Sequence, residues 1–277
     1  MMNKILVVAA KEFKDGLRNR WVAGITVVLA LFAIAISYFG AAASGMVGFT
    51  SLSTTIVSLS SLAIFLIPLI ALILAYDTIV GEEEQGTLIL LLTYPLKRSE
   101  LLAGKFVGHA AMMALATLLG FGSSGLLIAV FSEQVELQEL LVAYSIFIFT
   151  SILLGWTFIA LAYLVSVVSS EKSRASGVAL IIWFALVFVF DLLLLGLLVA
   201  TGGAIGDDLF GWLLLLNPTD IFRLINLGSF EATQVQSGLA SIADSQMIQP
   251  AVLWSSLLGW IVVPCLLAVW RFNKRVI

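Results

Sequence analysis

Apolar positions in this chain gather into long unbroken runs, unlike the stripes and alternations of a fold that turns one face to water. Six runs reach the length of about 20 mostly apolar residues that a helix needs to cross a hydrocarbon layer: 22–40, 56–76, 106–131, 140–168, 177–200 and 252–270. Each predicts a transmembrane α-helix, because a helix satisfies its own backbone hydrogen bonds inside lipid. Residues 209–216 are apolar but too few to span, and they predict a short interfacial or re-entrant helix closed by Asn217 and Pro218.

Ahead of the first run, residues 1–20 carry Lys4, Lys11, Lys14, Arg18 and Arg20, while Ile5, Val8, Ala9, Phe13 and Leu17 recur at helical spacing. This pattern fits an amphipathic helix lying in the membrane interface. A plain positive flank that orients the first span accounts for the charges equally well. A secretory signal opens in a similar way, but its apolar core runs for about 7 to 15 residues. Here the run continues to Tyr38, so the segment reads as a retained span.

Lysine and arginine set the orientation, because positive loops stay on the cytoplasmic side. Thirteen of the 14 lie in the N-terminal segment, in the second-to-third loop (Lys97, Arg98, Lys105), in the fourth-to-fifth loop (Lys172, Arg174) and in the tail (Arg271, Lys274, Arg275). Only Arg223 falls elsewhere. With an even number of spans, both termini are expected in the cytoplasm of a bacterial inner membrane. The other face collects acids: Glu133, Glu136, Glu139, Asp207, Asp208, Asp220, Glu231 and Asp244. Segment 201–251 is its long connection and the place for an external partner.

Composition narrows the class. Hydrophobic residues make up 61% and charged residues 11%, against roughly 25% charged in a soluble domain, too few to clothe a water-facing surface. The net charge of −3, with no basic cluster interleaved with aromatics, excludes nucleic acid as a partner. Cys265 is the single cysteine and forms no internal disulfide. Fold and domain expectations are therefore one all-α integral membrane domain over 1–277, with an amphipathic interfacial helix (1–20), six spans, a cytoplasmic loop with a short coupling helix (77–105) and a short outer re-entrant helix.

Loop 77–105 is the most informative stretch. Glu82, Glu83 and Glu84 precede Gln85, Gly86, Thr87 and Leu88, and the sequence predicts one short apolar helix with the acids at its positive N-terminal end. Pro95 ends it, and Ser99 with Glu100 starts the next helix toward Lys105. Such an element suits docking to a cytoplasmic protein; a solvated charged turn with a buried stub is the plainer alternative. Asp191 lies inside the fifth span, where an isolated carboxylate is costly, so it must be protonated, paired or turned to a polar cavity. The plainer account is a protonated carboxyl bonded to a neighbouring helix, since no basic residue lies in another span.

Catalytic and metal chemistry find little support. Gly122-Ser-Ser-Gly125 matches the nucleophile pattern of intramembrane serine proteases, but Ser124 needs a histidine beside it. The single histidine, His109, is fifteen positions away on the same helix, roughly 22 Å at 1.5 Å per residue. Small residues there serve close packing. Cys265, His109, Met46, Met112, Met113 and Met247 are scattered, whereas a soft-metal site needs converging ligands. No phosphate loop of the form G-x-x-x-x-G-K-[ST] occurs, so an ATP-driven process would need a separate subunit.

The amphipathic N-terminus, the six spans, the Glu-Glu-Glu-Gln-Gly-Thr-Leu segment followed by Tyr94-Pro95 and a basic patch, and the Leu-Asn-Pro-Thr-Asp-Ile-Phe-Arg segment at 216–223 together resemble permeases of the ABC-2 family. The likeness covers the whole chain and is strongest to the branch serving copper-site maturation in nitrous oxide reductase. It implies a non-catalytic permease homodimer, two cytoplasmic ATPase subunits that hold ATP and magnesium, and a periplasmic β-helical partner. In its terms Phe13, Leu17 and the segment from Glu82 to Leu88 receive the ATPase's movement, and Asn217, Pro218, Asp220 and Arg223 form an outer re-entrant motif. The scattered metal ligands favour a mechanical role or a non-metal cargo over copper conduction. Three competing functions remain: an exporter of a lipid, drug or peptide with the same architecture, an ion-coupled secondary transporter using Asp191, and an intramembrane protease using Ser124.

Overall fold

The computed structural model of the chain describes residues 4–18, 20–40, 48, 51–132, 135–202, 206–228 and 249–275. Among these residues every regular element is helical, and six helical stretches are long and apolar enough to cross a membrane. Helix α1 (Lys4–Arg18) leads into α2 (Arg20–Phe39), and α3 (Leu52–Ala75) returns. Two short helices, α4 (Val80–Glu84) and α5 (Thr87–Thr93), precede the long pair α6 (Arg98–Phe131) and α7 (Leu137–Val168). Then α8 (Lys172–Phe184) and α9 (Phe190–Ala200) form one rod joined by a π-helical turn, Ala185–Val189, and are followed by α10 (Asp207–Leu215), α11 (Pro218–Gly228) and α12 (Pro250–Lys274). The expectations for Met46, Glu133, Glu231, Asp244 and Met247, and for 229–248 generally, concern residues outside those described.

Helix α6 has 34 residues and α7 has 32, roughly 50 Å each at 1.5 Å per residue, so both outreach a hydrocarbon core of about 30 Å. The sequence begins the span at residue 106 but starts its helix at Ser99 and Glu100, and the structure agrees with that start: residues 98–105 are the first turns of α6, ahead of the apolar run. Glu100 fixes that start by accepting the backbone N–H of Lys97 at 2.8 Å. Alternating chain direction gathers α1, α4, α5, the starts of α6 and α8 and the ends of α7 and α12 at one lysine-rich end of the bundle.

Helix α7 is the axis of the bundle, packed by α3, α6, α11 and α12. It is apolar all round, as suits the most enclosed of the spans, and buries Phe147, Phe158 and Tyr163 completely. Helices α2 and α8–α9 are the least buried spans and turn most of their apolar surface outward.

Helix α1 lies against the start of α6 rather than only flanking the first span. Gly104 and Gly108, one turn apart on α6, make this approach possible. A Cβ on Gly104 would stand 2.6 Å from Val8 Cβ and 2.9 Å from the Ile5 carbonyl oxygen, and one on Gly108 would stand 2.6 Å from Glu12 Cβ and 2.9 Å from the Ala9 carbonyl oxygen. Small residues four apart allow this contact between backbones. Gly108→Ala is expected to force α1 outward and cost about 1 to 3 kcal/mol, the usual range for overpacking, seen as a lower melting temperature in detergent. Gly122→Ala, where a Cβ meets nothing within 4 Å, is the control expected to leave that temperature unchanged.

The expected short helix at 209–216 is present as α10, but a second helix follows it. Asn217 caps α11: its side-chain oxygen accepts the Thr219 N–H at 3.2 Å, and Pro218 occupies the first helical position, where its missing N–H costs nothing. The two helices form a hairpin dipping into the bundle. Trp260 on α12 donates to the Leu215 carbonyl at 3.1 Å, ten residues inside the Pro250 end, which is roughly 15 Å down the helix.

Candidate functional site

Gly86 sits at φ 71°, a left-handed conformation that glycine adopts without steric cost, and it separates α4 from α5. The expectation of one helix with the acidic triplet on its N-terminus is thereby corrected. The glutamates belong to the one-turn helix α4, and groups from other parts of the chain meet them, cations at Glu82 and Glu83 and a backbone N–H at Glu84. Glu82 Oε1 stands 2.7 Å from Lys105 Nζ on α6, and the same ammonium is 2.8 Å from Glu12 Oε1 on α1. This group is enclosed, with the Lys105 side chain only 4% exposed. Glu83 forms an ion pair at 2.6 Å with Arg275, just past α12. Glu84 Oε1 accepts the backbone N–H of Lys172, the first residue of α8, at 2.6 Å, and Lys172 Nζ is 2.6 Å from Asp77 Oδ2.

The backbone of α4 is held as firmly. Ser166 Oγ on α7 accepts the N–H groups of Ile79 and Val80 at 3.0 and 3.1 Å, meeting donors that a helix start leaves without partners. Arg275 donates to the carbonyls of Val167 and Ser169 at the end of α7. Arg98 does the same for α12, reaching the carbonyls of Phe272 at 2.9 Å and Arg275 at 2.6 Å. Cations are favoured at both places by the negative end of the helix dipole. Burial alone would raise the Glu12 carboxyl; the charges and hydrogen bonds of Lys105 and Lys11 together outweigh it and hold the pKa below the ordinary carboxylate value.

The outward face of this end is apolar. Helix α5 buries Leu88 and turns Ile89 and Leu90 outward, 59% and 63% exposed, with Tyr94 beside them. On α1, Leu6, Val7 and Leu17 are exposed and Phe13 is half-buried. Between α1 and α5 lies a cavity of about 390 Å³ walled by Val7, Val8, Leu91, Tyr94, Leu96 and Leu101. Lys4 also lines it and donates to the Pro95 carbonyl. Of the sequence-predicted residues, Glu82 and Glu83 turn inward as braces, Glu84, Gln85 and Gly86 are exposed at the joint, and Leu88 is core. Sequence reasoning missed Lys105, Glu12 and Arg275 as parts of this site. The available signal was a lysine, Lys105, bordered on both sides by apolar α6.

Halfway through the bundle a second polar group forms. Arg223 on α11 reaches Asp191 Oδ2 and Asp220 Oδ1, each at 2.8 Å. Asp191 is therefore paired, the second of the three expected states, with a base from the hairpin; the plainer account of a protonated carboxyl bonded to a neighbouring helix had looked for a base only in the spans. Asn217 donates to the Leu186 carbonyl at 2.9 Å and to Asp220 Oδ2 at 3.1 Å. Leu186 lies in the π turn, where the wider winding disturbs the regular ladder and leaves a carbonyl for an outside donor. Asn217, Pro218, Asp220 and Arg223 thus come together with Asp191. His109 and Ser124 do not meet. His109 Nδ1 is 2.7 Å from the Tyr163 hydroxyl, and Ser124 Oγ bonds the Phe121 carbonyl and the Tyr144 hydroxyl. Met112 lies over Gly16 and Met113 over Gly155, both as packing.

Comparison with known proteins agrees over almost the full length. A family model described as ABC-2 family transporter protein matches residues 6–276. The chain is 54% identical over 274 residues to the probable ABC transporter permease protein NosY of Stutzerimonas stutzeri, covering 99% of each. It is 51% identical over 274 residues to the protein of the same description from Pseudomonas aeruginosa, again covering 99% of each.

Proposed function

Since this chain belongs to the ABC-2 family of transporter membrane proteins, we propose that it carries the movement of a cytoplasmic ATPase pair across the inner membrane, in the service of copper-site maturation of nitrous oxide reductase. It is a multi-pass permease subunit of an ABC transporter. The lysine-rich end faces the cytoplasm in this reading, as the positive-inside rule requires. The chain pairs with a second copy, ATP and magnesium are bound by the partner ATPases, and a periplasmic β-helical protein meets the opposite face. The resemblance to the maturation branch and the likeness to two NosY permeases support the assignment.

The observation that carries the coupling role is the apolar groove between α1 and α5, open at the lysine-rich end and flanked by exposed Val7, Ile89, Leu90 and Tyr94. An amphipathic helix of a partner fits such a groove with its apolar face. The permease thus offers the groove, where the sequence had α5 as the helix that docks. Leu90→Glu is expected to abolish co-purification of the ATPase in mild detergent while membrane insertion is kept. Undiminished co-purification would remove the groove from the contact. The ion-coupled alternative loses its main support, since Asp191 is already engaged by Arg223.

A further inference from the structure

Resting on that reading, we infer that the glutamate triplet is a distributor within the permease and not its contact with the ATPase: Glu82, Glu83 and Glu84 each hold the lysine-rich end of a different membrane-crossing helix. Glu82 grips α6 through Lys105, and with it α1 through Glu12. Glu83 grips α12 through Arg275, whose guanidinium also holds the last carbonyls of α7. Glu84 grips the first turn of α8. A single helical turn has no stability of its own, so α4 stands where these partners and Ser166 hold it, and a displacement of α4 is delivered to all of them.

The orientation of the side chains separates this role from docking. A carboxylate that meets a partner protein must turn outward, whereas Glu82 and Glu83 spend their charges on cations only 4% and 15% exposed. The outward apolar surface belongs to α5, on the other side of Gly86. The joint is bridged: Thr87 Oγ1 on α5 donates to the Glu82 carbonyl at 3.1 Å. Load taken up by α5 therefore reaches α4 across one hydrogen bond and the Gln85-Gly86 link, and passes from α4 into the spans through three pairs. Glu83 and Arg275 are positioning residues in this scheme, acting through the helices they join.

The test uses the complete complex in nanodiscs, with a fluorescent probe on Gly206→Cys in a Cys265→Ser background and the ATP-dependent change in its signal as the readout. Glu83→Arg and Arg275→Glu, each alone, are expected to keep ATPase co-purification and hydrolysis while the probe response falls on the order of tenfold, within the range of coupling-network variants. The double swap is expected to recover part of the response, the pair being restored while the Val167 and Ser169 carbonyls stay without their donor, and an unlinked variant would recover none. Loss of the ATPase in Glu83→Arg without recovery in the double swap would make the triplet the contact and overturn the inference, as would a full probe response in both single variants. Either result leaves the proposed function standing. A wild-type preparation that retains no ATPase overturns that function, and the inference with it.

Discussion

Replacing Lys105 with methionine is expected to destabilise the lysine-rich end by about 3 to 5 kcal/mol, the cost of removing one member of a buried charge group and leaving the others uncompensated. Glu82 rests on this ammonium at 2.7 Å, and Glu12 on it at 2.8 Å and on the exposed Lys11 at 3.1 Å. Without it, Glu82 and Glu12 face each other with only the exposed Lys11 left beside Glu12, and α1 and α4 both lose their charged tie to α6. Melting temperature in detergent and protease cleavage within α1 report the loss. Neutralising all three residues together, as Glu12→Gln with Glu82→Gln and Lys105→Met, is expected to recover much of it, because removing every charge of a buried group is far cheaper than removing one. The wild type also gains a pH dependence. The folded Glu12 pKa lies below its ordinary value of 4.5, so its contribution is fully present above that value and disappears as pH falls through the folded value. Stability in Lys105→Met should fall less over the same acid range; an unchanged acid slope would mean that Lys105 does not hold Glu12.

The spans were legible because each needs only a run of apolar residues, whatever the partners. What projected beyond the lipid was not. Residues 98–105 fell outside the predicted span because Arg98, Ser99, Glu100 and Lys105 break the hydrophobic run; Ser99 and Glu100 marked the helix start, but nothing local showed that it continues into the span as one rod. Helix α11 was hidden for a related reason. Its apolar stripe, with Ile221, Phe222, Leu224 and Ile225 buried, is crossed by Arg223 and Asn226, and those residues make sense only through partners on other helices. Asn226 donates to Thr150 at 3.0 Å, 76 positions away, a pairing that no local window contains.

The N-terminal segment shows where pattern sufficed. Spacing separated Ile5, Val8 and Ala9 from the lysines, and the same residues lie toward α6, with Ala9 buried and Val8 under Gly104. The triplet shows where it did not. Three adjacent carboxylates look like a solvated or docking surface, because the chain alone cannot say that Lys105, Arg275 and the start of α8 converge on them. Gly86 was the readable clue: a glycine placed between acids and an apolar run marks a break at least as readily as it marks a helix interior.

Arg223→Met is expected to release the α10–α11 hairpin from the bundle, at a cost on the order of 2 to 4 kcal/mol for stranding carboxylates at membrane depth. Asp220, only 2% exposed, loses its counter-charge and Asp191 loses its partner at the same time. The remaining polar ties, Asn217 to Leu186, Asn226 to Thr150 and Trp260 to Leu215, are neutral hydrogen bonds, each worth about 1 kcal/mol, so apolar packing of Ile221, Leu224 and Ile225 against Leu253 and Leu257 is what is left to oppose the stranded charges. Leu215→Cys in a Cys265→Ser background, labelled by a membrane-impermeant maleimide, reads the release: protected with Arg223 present, modified in Arg223→Met. Asp191→Asn leaves Arg223 bonded to Asp220 and removes a single charge from the group, so protection should largely persist. That asymmetry separates a structural latch from a transport residue. If Asp191→Asn abolished transport while Leu215→Cys stayed protected, Asp191 would be acting on a moving ion and the latch would be secondary; equal exposure of the cysteine in both variants would show that the Arg223–Asp220 pair contributes nothing to holding the hairpin.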